Sequence, residues 1–153
     1  MERTLIILKP DCVHRRLLGR IIQRFEDKGL VIAGMKLMQI SKDLAGRHYA
    51  PHQGKPFYPG LIEYITSGPV VVLVLQGNNV IAVARKMMGK TFGYEAEPGT
   101  IRGDFGVSKT FNLIHGSDSP ESARAEIELY FAAGELLNYA PVTDGWTNKP
   151  GEA

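Results

Sequence analysis

Four short apolar runs of strand length stand out when hydrophobic and polar positions are marked along the chain. They span residues 4–9, 30–40, 70–75 and 110–114. The third run, VVVLVL, consists mostly of β-branched residues, which predicts a central strand buried on both faces. The chain therefore supplies enough strands for a four-stranded sheet.

Between these runs, apolar positions recur every three or four residues, which predicts amphipathic helices. The predicted helices cover residues 17–28, 41–50, 57–65, the stretch from Asn78 or Asn79 to about Met88, and 119–131. Ser41 and Ser119 are predicted to cap two of them, with Pro120 at the first helical position. The stretch 89–109 and the tail 138–153 lack periodicity and are predicted to be irregular, and so long a loop is usually functional or disordered.

The order of these elements predicts an α+β fold with a single domain over residues 1–153. A β-α-β-β-α-β core fits the lengths when the short helices between 41 and 65 are treated as an insertion. We therefore expect a ferredoxin-like sandwich, in which helices cover a four-stranded antiparallel sheet.

Composition narrows the possible classes of protein. Hydrophobic residues make up 44% of the chain and charged residues 22%, values typical of globular domains. A net charge of +2 gives no indication of nucleic-acid binding, which requires clustered basic residues. The N-terminal stretch does not resemble a signal peptide, and no apolar run is long enough to span a membrane. Because the lone Cys12 cannot form an internal disulfide, a cytoplasmic location is expected.

Several short patterns suggest chemistry that their context does not support. MGKT at 88–91 resembles the end of a phosphate-binding P-loop, but a predicted helix precedes it instead of a strand. His48 and His52 have the spacing of a helical zinc pair, but Pro51 breaks the helix between them. No metal site in the protein is therefore expected. An RNA-recognition module would need exposed aromatic residues on the middle strands, which offer only one.

The stretch NLIHGSDS at 112–119 places a histidine where the last predicted strand ends. A lone histidine more often fills space than binds a ligand, but at the rim of a sheet His115 could also meet one. Strand ends and loops on one side of the sheet could bring it together with Lys9, Arg85, Thr91 and Arg102. Two arginines, a lysine and a hydroxyl would suit a polyphosphate, because charge-assisted hydrogen bonds are the strong ones.

Six motifs, taken together, resemble the nucleoside diphosphate kinase family. They are KPD at 9–11, RHY at 47–49, KPF at 55–57, SGPVV at 67–71, GTIRGDF at 99–105 and NLIHGSDS at 112–119. They follow the family's order and spacing over nearly the whole chain. The resemblance implies a ferredoxin-like kinase that moves the γ-phosphate of a nucleoside triphosphate, typically ATP, to a nucleoside diphosphate. It also implies a ping-pong cycle through a phosphohistidine.

The resemblance assigns roles to individual residues. His115 would be the nucleophile, with Glu126 and Ser117 supporting its ring, because a neutral imidazole is nucleophilic near pH 7. The phosphates would be held by Lys9, Arg85, Thr91 and Arg102, with Tyr49 nearby. The base and sugar would meet Phe57, Leu61 and Asn112. Mg²⁺ would arrive on the nucleotide and not in a protein cage.

The chain departs from the family pattern at three places. Cys12 replaces a common glycine after KPD, and we expect it to be open to alkylation because it lies close to Lys9. Phe92-Gly93 replaces an Asn-Pro or Asp-Pro pair in a loop that often shapes subunit contacts, and VSKTFN precedes the histidine stretch. A homo-oligomer is expected, a hexamer before a tetramer, with no membrane and no specific nucleic acid. The alternative is a catalytically silent relative that binds nucleotides or nucleic acid as a partner protein.

Overall fold

Four antiparallel strands form the central sheet of the computed structural model, which describes residues 1–151. The strands are β1 (Glu2–Leu8), β2 (Val31–Gln39), β3 (Pro69–Gly77) and β4 (Ile114–Gly116). They lie in the order β2-β3-β1-β4, with β1 paired to both β3 and β4. This order confirms the predicted ferredoxin-like α+β fold.

The two central strands are buried on both faces of the sheet. Successive side chains of a strand point to opposite faces, so Ile6 and Leu8 enter one core cluster while Leu5 and Ile7 enter the other. The edge strand β2 instead exposes Met35 and Leu37. The continuous apolar runs in the sequence therefore mark the central strands, as predicted for β3.

Helices cover both faces of the sheet. Within residues 1–151 they are α1 (Pro10–His14), α2 (Leu18–Asp27), α3 (Lys42–His48), α4 (Tyr58–Ile65), α5 (Val80–Met88), α6 (Ile101–Phe105), α7 (Pro120–Tyr130) and α8 (Asp144–Thr147). The two crossover helices α2 and α5 contribute to one core cluster, and the inserted α3 and α4 contribute to the other. None of these helices is long and apolar enough to cross a membrane.

The capping serines end up where the sequence predicts them. Ser41 Oγ accepts a hydrogen bond from the Leu44 N–H at 3.1 Å, and Ser119 Oγ accepts one from Ser122 at 3.1 Å. Asn79 precedes α5 with a left-handed φ of 50°, but its side chain makes no capping bond. Helix starts are thus predicted well, even where the cap itself differs.

The expectation of irregular structure over 89–109 was wrong. This stretch contains the short helix α6, whose cap is Thr100, with Oγ1 accepting from the Gly103 N–H at 3.0 Å. It is too short to show apolar periodicity, so only its cap residue could have revealed it. In the tail predicted to be irregular, α8 forms a single turn, and Glu152 and Ala153 lie outside the described residues.

The fourth strand begins later than predicted, at Ile114 instead of 110. Leu113 has a left-handed φ of 71° that interrupts any extended run through it. Its N–H donates to Asp11 Oδ2 at 3.1 Å, and its carbonyl accepts from the Lys9 N–H at 2.8 Å. As a result His115 is the middle residue of β4, opposite Ile7, and does not lie past the strand's end.

Candidate active site

A chain of hydrogen bonds holds the ring of His115 from the side of α7. His115 Nε2 lies 3.0 Å from Glu126 Oε2, and Ser117 Oγ donates to that same oxygen at 2.5 Å. Ser117 Oγ in turn accepts from the Leu5 N–H of β1 at 3.2 Å. The structure thus brings both residues together at His115, with Glu126 bonded to the ring and Ser117 linking Glu126 to the central strand.

The state of Glu126 determines which ring nitrogen of His115 is free. Burial alone would raise the pKa of Glu126, but hydrogen bonds from His115 and Ser117 outweigh it and lower the pKa below its usual range. An ionised carboxylate only accepts hydrogen bonds, so Nε2 must carry the proton. The lone pair of Nδ1 is therefore left for a reaction partner.

A second histidine, His48, packs against the first. The two ring centroids are 4.7 Å apart at an interplanar angle of 81°. His48 is 8% exposed, and its Nδ1 is buried without a hydrogen-bond partner. Burial, with a smaller contribution from the neighbouring His115, lowers the pKa of His48 to about 3. His48 is therefore neutral at physiological pH.

Lys9 and Asn112 meet at the mouth of a cleft. Lys9 Nζ donates to Asn112 Oδ1 at 2.7 Å, and Asn112 Nδ2 donates to the Thr91 carbonyl at 3.3 Å. Lys9 is 6% exposed, and burial together with the nearby Arg102 lowers its pKa to about 7. A buried lysine of this kind gains its charge most readily when an anion arrives beside it.

Arg102 holds the backbone around the histidine strand. Its guanidinium nitrogens donate to the carbonyls of Asn112 at 3.1 Å, Gly89 at 3.1 Å and Ile114 at 2.5 Å. Burial, followed by the like charge of Arg85, lowers its pKa to about 10, so it stays charged near neutral pH. If Arg102 also contacts a phosphate, as the sequence predicts, it must use guanidinium N–H groups that do not bind these three carbonyls.

Two cavities collect most of the predicted site residues. A cavity of about 580 Å³ is lined in part by Lys9, Phe57, Leu61, Thr91 and Asn112. A smaller one of about 240 Å³ is lined in part by Tyr49, Arg85, His115 and Glu126. Arg102 and Ser117 line neither cavity. Arg102 instead bonds to the backbone on either side of Leu113, and Ser117 bonds to Glu126. Arg85 also donates to the Gly116 carbonyl at 3.1 Å, which ties it to β4.

Sequence reasoning gave no role to three residues that the structure places at this site. Asp11 accepts a hydrogen bond from the Tyr64 hydroxyl as well as from the Leu113 N–H, and so fixes the backbone ahead of β4. His48 packs on the ring of His115. Asp11 and His48 lie within the KPD and RHY motifs, so the family resemblance could have pointed to them. Tyr64 lies in none of the six motifs, and nothing in the sequence indicated its role.

Cys12 does not behave as predicted from its position near Lys9. The side chain is fully buried, and burial, followed by the charge of Asp11, raises the pKa of its thiol to about 12. This burial contradicts the expectation that Cys12 is open to alkylation, because the thiol is shielded from solvent and its raised pKa disfavours the reactive thiolate. Cys12 lies inside α1 with helical backbone, so replacing the family's glycine introduces no strain.

The fold and site define a ferredoxin-like protein with a fixed histidine beside cavities lined by basic residues. A sequence model described as nucleoside diphosphate kinase matches residues 2–136, and the chain belongs to that family. It is accordingly an enzyme of nucleotide phosphoryl transfer.

Relatives and solved structures agree with this assignment over nearly the full length. A nucleoside diphosphate kinase from Synechococcus sp. (strain JA-3-3Ab) is 57% identical over 146 residues, covering 95% of this chain and 98% of the relative. The structure of a halophilic nucleoside diphosphate kinase from Halobacterium salinarum in complex with CDP matches with a TM-score of 0.95 and 44% identity, covering 97% and 99%. A family structure from Babesia bovis gives a TM-score of 0.93 at 41% identity, covering 97% and 100%.

Proposed function

We propose that the chain transfers the γ-phosphate of a nucleoside triphosphate to a nucleoside diphosphate through a phosphohistidine on His115. The observation that carries this proposal is the hydrogen bond between His115 Nε2 and the ionised Glu126. It leaves the Nδ1 lone pair for attack, and it supports the imidazolium-like charge that grows when Nδ1 forms a bond.

In the first half-reaction, a bond forms between His115 Nδ1 and the γ-phosphorus while the bond from that phosphorus to the β,γ-bridging oxygen breaks. The nucleoside diphosphate leaves with that oxygen. In the second half, the terminal oxygen of another nucleoside diphosphate attacks the phosphorus, and Nδ1 is the leaving group. One site serves both halves because donor and acceptor are polyphosphates of the same kind.

Basic side chains are proposed to hold the phosphates in both half-reactions. Lys9, Arg85 and Arg102 supply positive charge, and Thr91 supplies a hydroxyl at the larger cavity. Phosphoryl transfer depends mainly on positioning and on stabilising negative charge, so a preformed set of this kind suits the reaction. Tyr49 lines the smaller cavity and is proposed to lie beside the phosphates, although its hydroxyl is buried without a hydrogen-bond partner in this structure.

The base and sugar are proposed to occupy the larger cavity. Phe57 lines this cavity and is 52% exposed, so that its ring can stack on a base. Leu61 lines the same cavity. Stacking uses a face that every base has, which suits broad base tolerance. Asn112 is proposed to bind a sugar hydroxyl, in exchange for one of its present contacts with Lys9 and Thr91. The CDP in the Halobacterium salinarum relative supports a nucleotide site in this family.

Mg²⁺ is proposed to enter with the nucleotide as part of the substrate. Among the described residues that line the two cavities, only Asp118 and Glu126 carry carboxylates, whereas Mg²⁺ prefers an octahedron of oxygen ligands. A homo-oligomer, a hexamer before a tetramer, and a cytoplasmic location remain predictions from the sequence. Gel filtration with light scattering would measure the assembly.

The test is transfer of label from γ-³²P-ATP to the chain, with His115→Ala as the matched variant. We expect acid-labile, base-stable label on the native chain that GDP removes as GTP, and none on the variant. If the native chain binds nucleotide but takes no label, the alternative of a silent binding protein holds. Salt-dependent DNA binding that survives in His115→Ala would then favour a nucleic-acid partner.

A further inference from the structure

Among the described residues, one group of three has the side chains and the proximity to hold a metal ion. It consists of His48, His115 and Glu126, each offering one ligand atom, with all three atoms within 4.8 Å of one another. Two imidazoles and one carboxylate form a donor set that suits Zn²⁺ and related transition metals and does not suit Mg²⁺. The sequence-based pairing of His48 with His52, which Pro51 argued against, involves a histidine that is not in this group.

The group is close to the geometry that a metal requires. Bonds of about 2.0–2.2 Å from Zn²⁺ to nitrogen and oxygen place tetrahedral ligands about 3.4 Å apart. His115 Nε2 and Glu126 Oε2 are already 3.0 Å apart. All three residues line the 240 Å³ cavity, which leaves room for water as a fourth ligand. A small movement of the side chains would complete the site.

His48 is the independent reason to expect a ligand here. Its side chain is more than nine-tenths buried, and its Nδ1 has no hydrogen-bond partner. A buried polar atom without a partner is unfavourable, and a metal ion bound through Nδ1 of His48 would satisfy it. Metal ligands must be deprotonated, and burial keeps His48 neutral. Arg85 lines the same cavity and opposes a cation, whereas Glu126 contributes the negative charge that favours one.

We propose that His48, His115 and Glu126 form an inhibitory site for a transition-metal ion such as Zn²⁺. The metal takes the lone pair of His115 Nε2 together with one nitrogen of His48 and one oxygen of Glu126. The proton that Nε2 carried moves through solvent to Nδ1, so the protein loses no proton overall. Nδ1 is then protonated and cannot attack phosphorus. The inhibition rests on the proposed function, whereas metal binding does not.

Binding is tested without any activity measurement, by titrating the chain with Co²⁺ in buffer that contains Mg²⁺ and recording the visible absorption. We expect one Co²⁺ per chain with the intense bands of a tetrahedral site, displaced by Zn²⁺. His48→Gln and Glu126→Gln each remove one ligand and should weaken binding at least about tenfold, since even outer-shell changes cost 10–100-fold. His52→Gln, which removes another histidine from the same cavity, should bind as the native chain does.

Circular dichroism shows whether the variants fold, and the two independent ligand variants keep the test decisive if one of them does not. Absence of a tetrahedral Co²⁺ spectrum in the native chain, or an unchanged one in both ligand variants, would overturn the site. Label transfer from γ-³²P-ATP is then measured with Mg²⁺ alone and with added Zn²⁺. Loss of label only with Zn²⁺, reversed by a chelator, supports inhibition. Failure to label with Mg²⁺ alone contradicts the proposed function, whatever Co²⁺ shows.

Discussion

The two cavities that collect the site residues are built in opposite ways. Around His115, side chains are tied to one another and to the sheet, from the Leu5 N–H through Ser117 to Glu126. In the larger cavity Lys9 and Asn112 are buried and bonded to each other, but Phe57 and Thr91 are exposed in turns or bends outside the helices. This difference suits the proposed role of each region. Phosphoryl transfer requires reacting groups in fixed positions, whereas base stacking requires only an exposed aromatic ring.

The largest expected effect comes from removing the buried charge of Lys9, which lines the larger cavity. Lys9→Met should lower the rate of label transfer by about 10²–10³-fold, the range for loss of one preorganised electrostatic contact. Lys109→Met is the matched control, because Lys109 lines the same cavity but is exposed. Stopped-flow labelling measures both. Equal rates in the two variants would place the essential charge elsewhere.

Loosening the fixed histidine should have the next largest effect. Glu126→Gln removes the negative charge that selects the Nε2–H form, and it should slow label transfer about 100-fold, as small misplacements of a reacting group do. Nucleotide affinity should hardly change, because Glu126 bonds to His115 Nε2 and is given no contact with the nucleotide. Glu128→Gln, on the exposed side of the same helix, is the control. Equal losses in affinity and rate would argue against a positioning role.

The pH dependence of ADP binding should report on Lys9, which lines the larger cavity and not the smaller one. In the free protein the pKa of Lys9 is about 7, and a bound phosphate favours its charged form. Above pH 7 the free protein has lost this proton and must take it up on binding. ADP affinity should therefore fall as pH rises from 7 to 9, by up to about tenfold per unit. Calorimetry in buffers of different ionisation enthalpy would detect the uptake, and affinity independent of pH would contradict it.

The smallest effect on the rate of label transfer should come from Phe57, the exposed aromatic residue of the larger cavity. Phe57→Ala should weaken ADP binding about tenfold, because base stacking contributes roughly 1–3 kcal/mol. The rate of label transfer at saturating ATP should stay near that of the native chain. Phe111→Ala is the control, since Phe111 is as exposed at 54% but does not line the cavity. A rate loss in Phe57→Ala alone would mean that the base position affects the chemistry.

The same contrast explains what could be predicted from the sequence. The strands, the main helices and their serine caps follow from local patterns, and the fold follows from their order. The later start of β4 does not, because the left-handed Leu113 depends on Asp11, which is 102 residues earlier. The contact between His48 and His115 likewise depends on how α3 packs. Periodicity describes one element at a time, whereas these features arise between elements.

The most direct test of the account is to identify which nitrogen of His115 carries the phosphate. The chain would be phosphorylated with ATP, its histidines labelled with ¹⁵N, and phosphorus–nitrogen coupling read by NMR at alkaline pH. Phosphate on Nδ1 is the predicted result, because Glu126 occupies Nε2. Phosphate on Nε2 would contradict the account, since it would require the hydrogen bond that fixes the ring to be broken before the reaction.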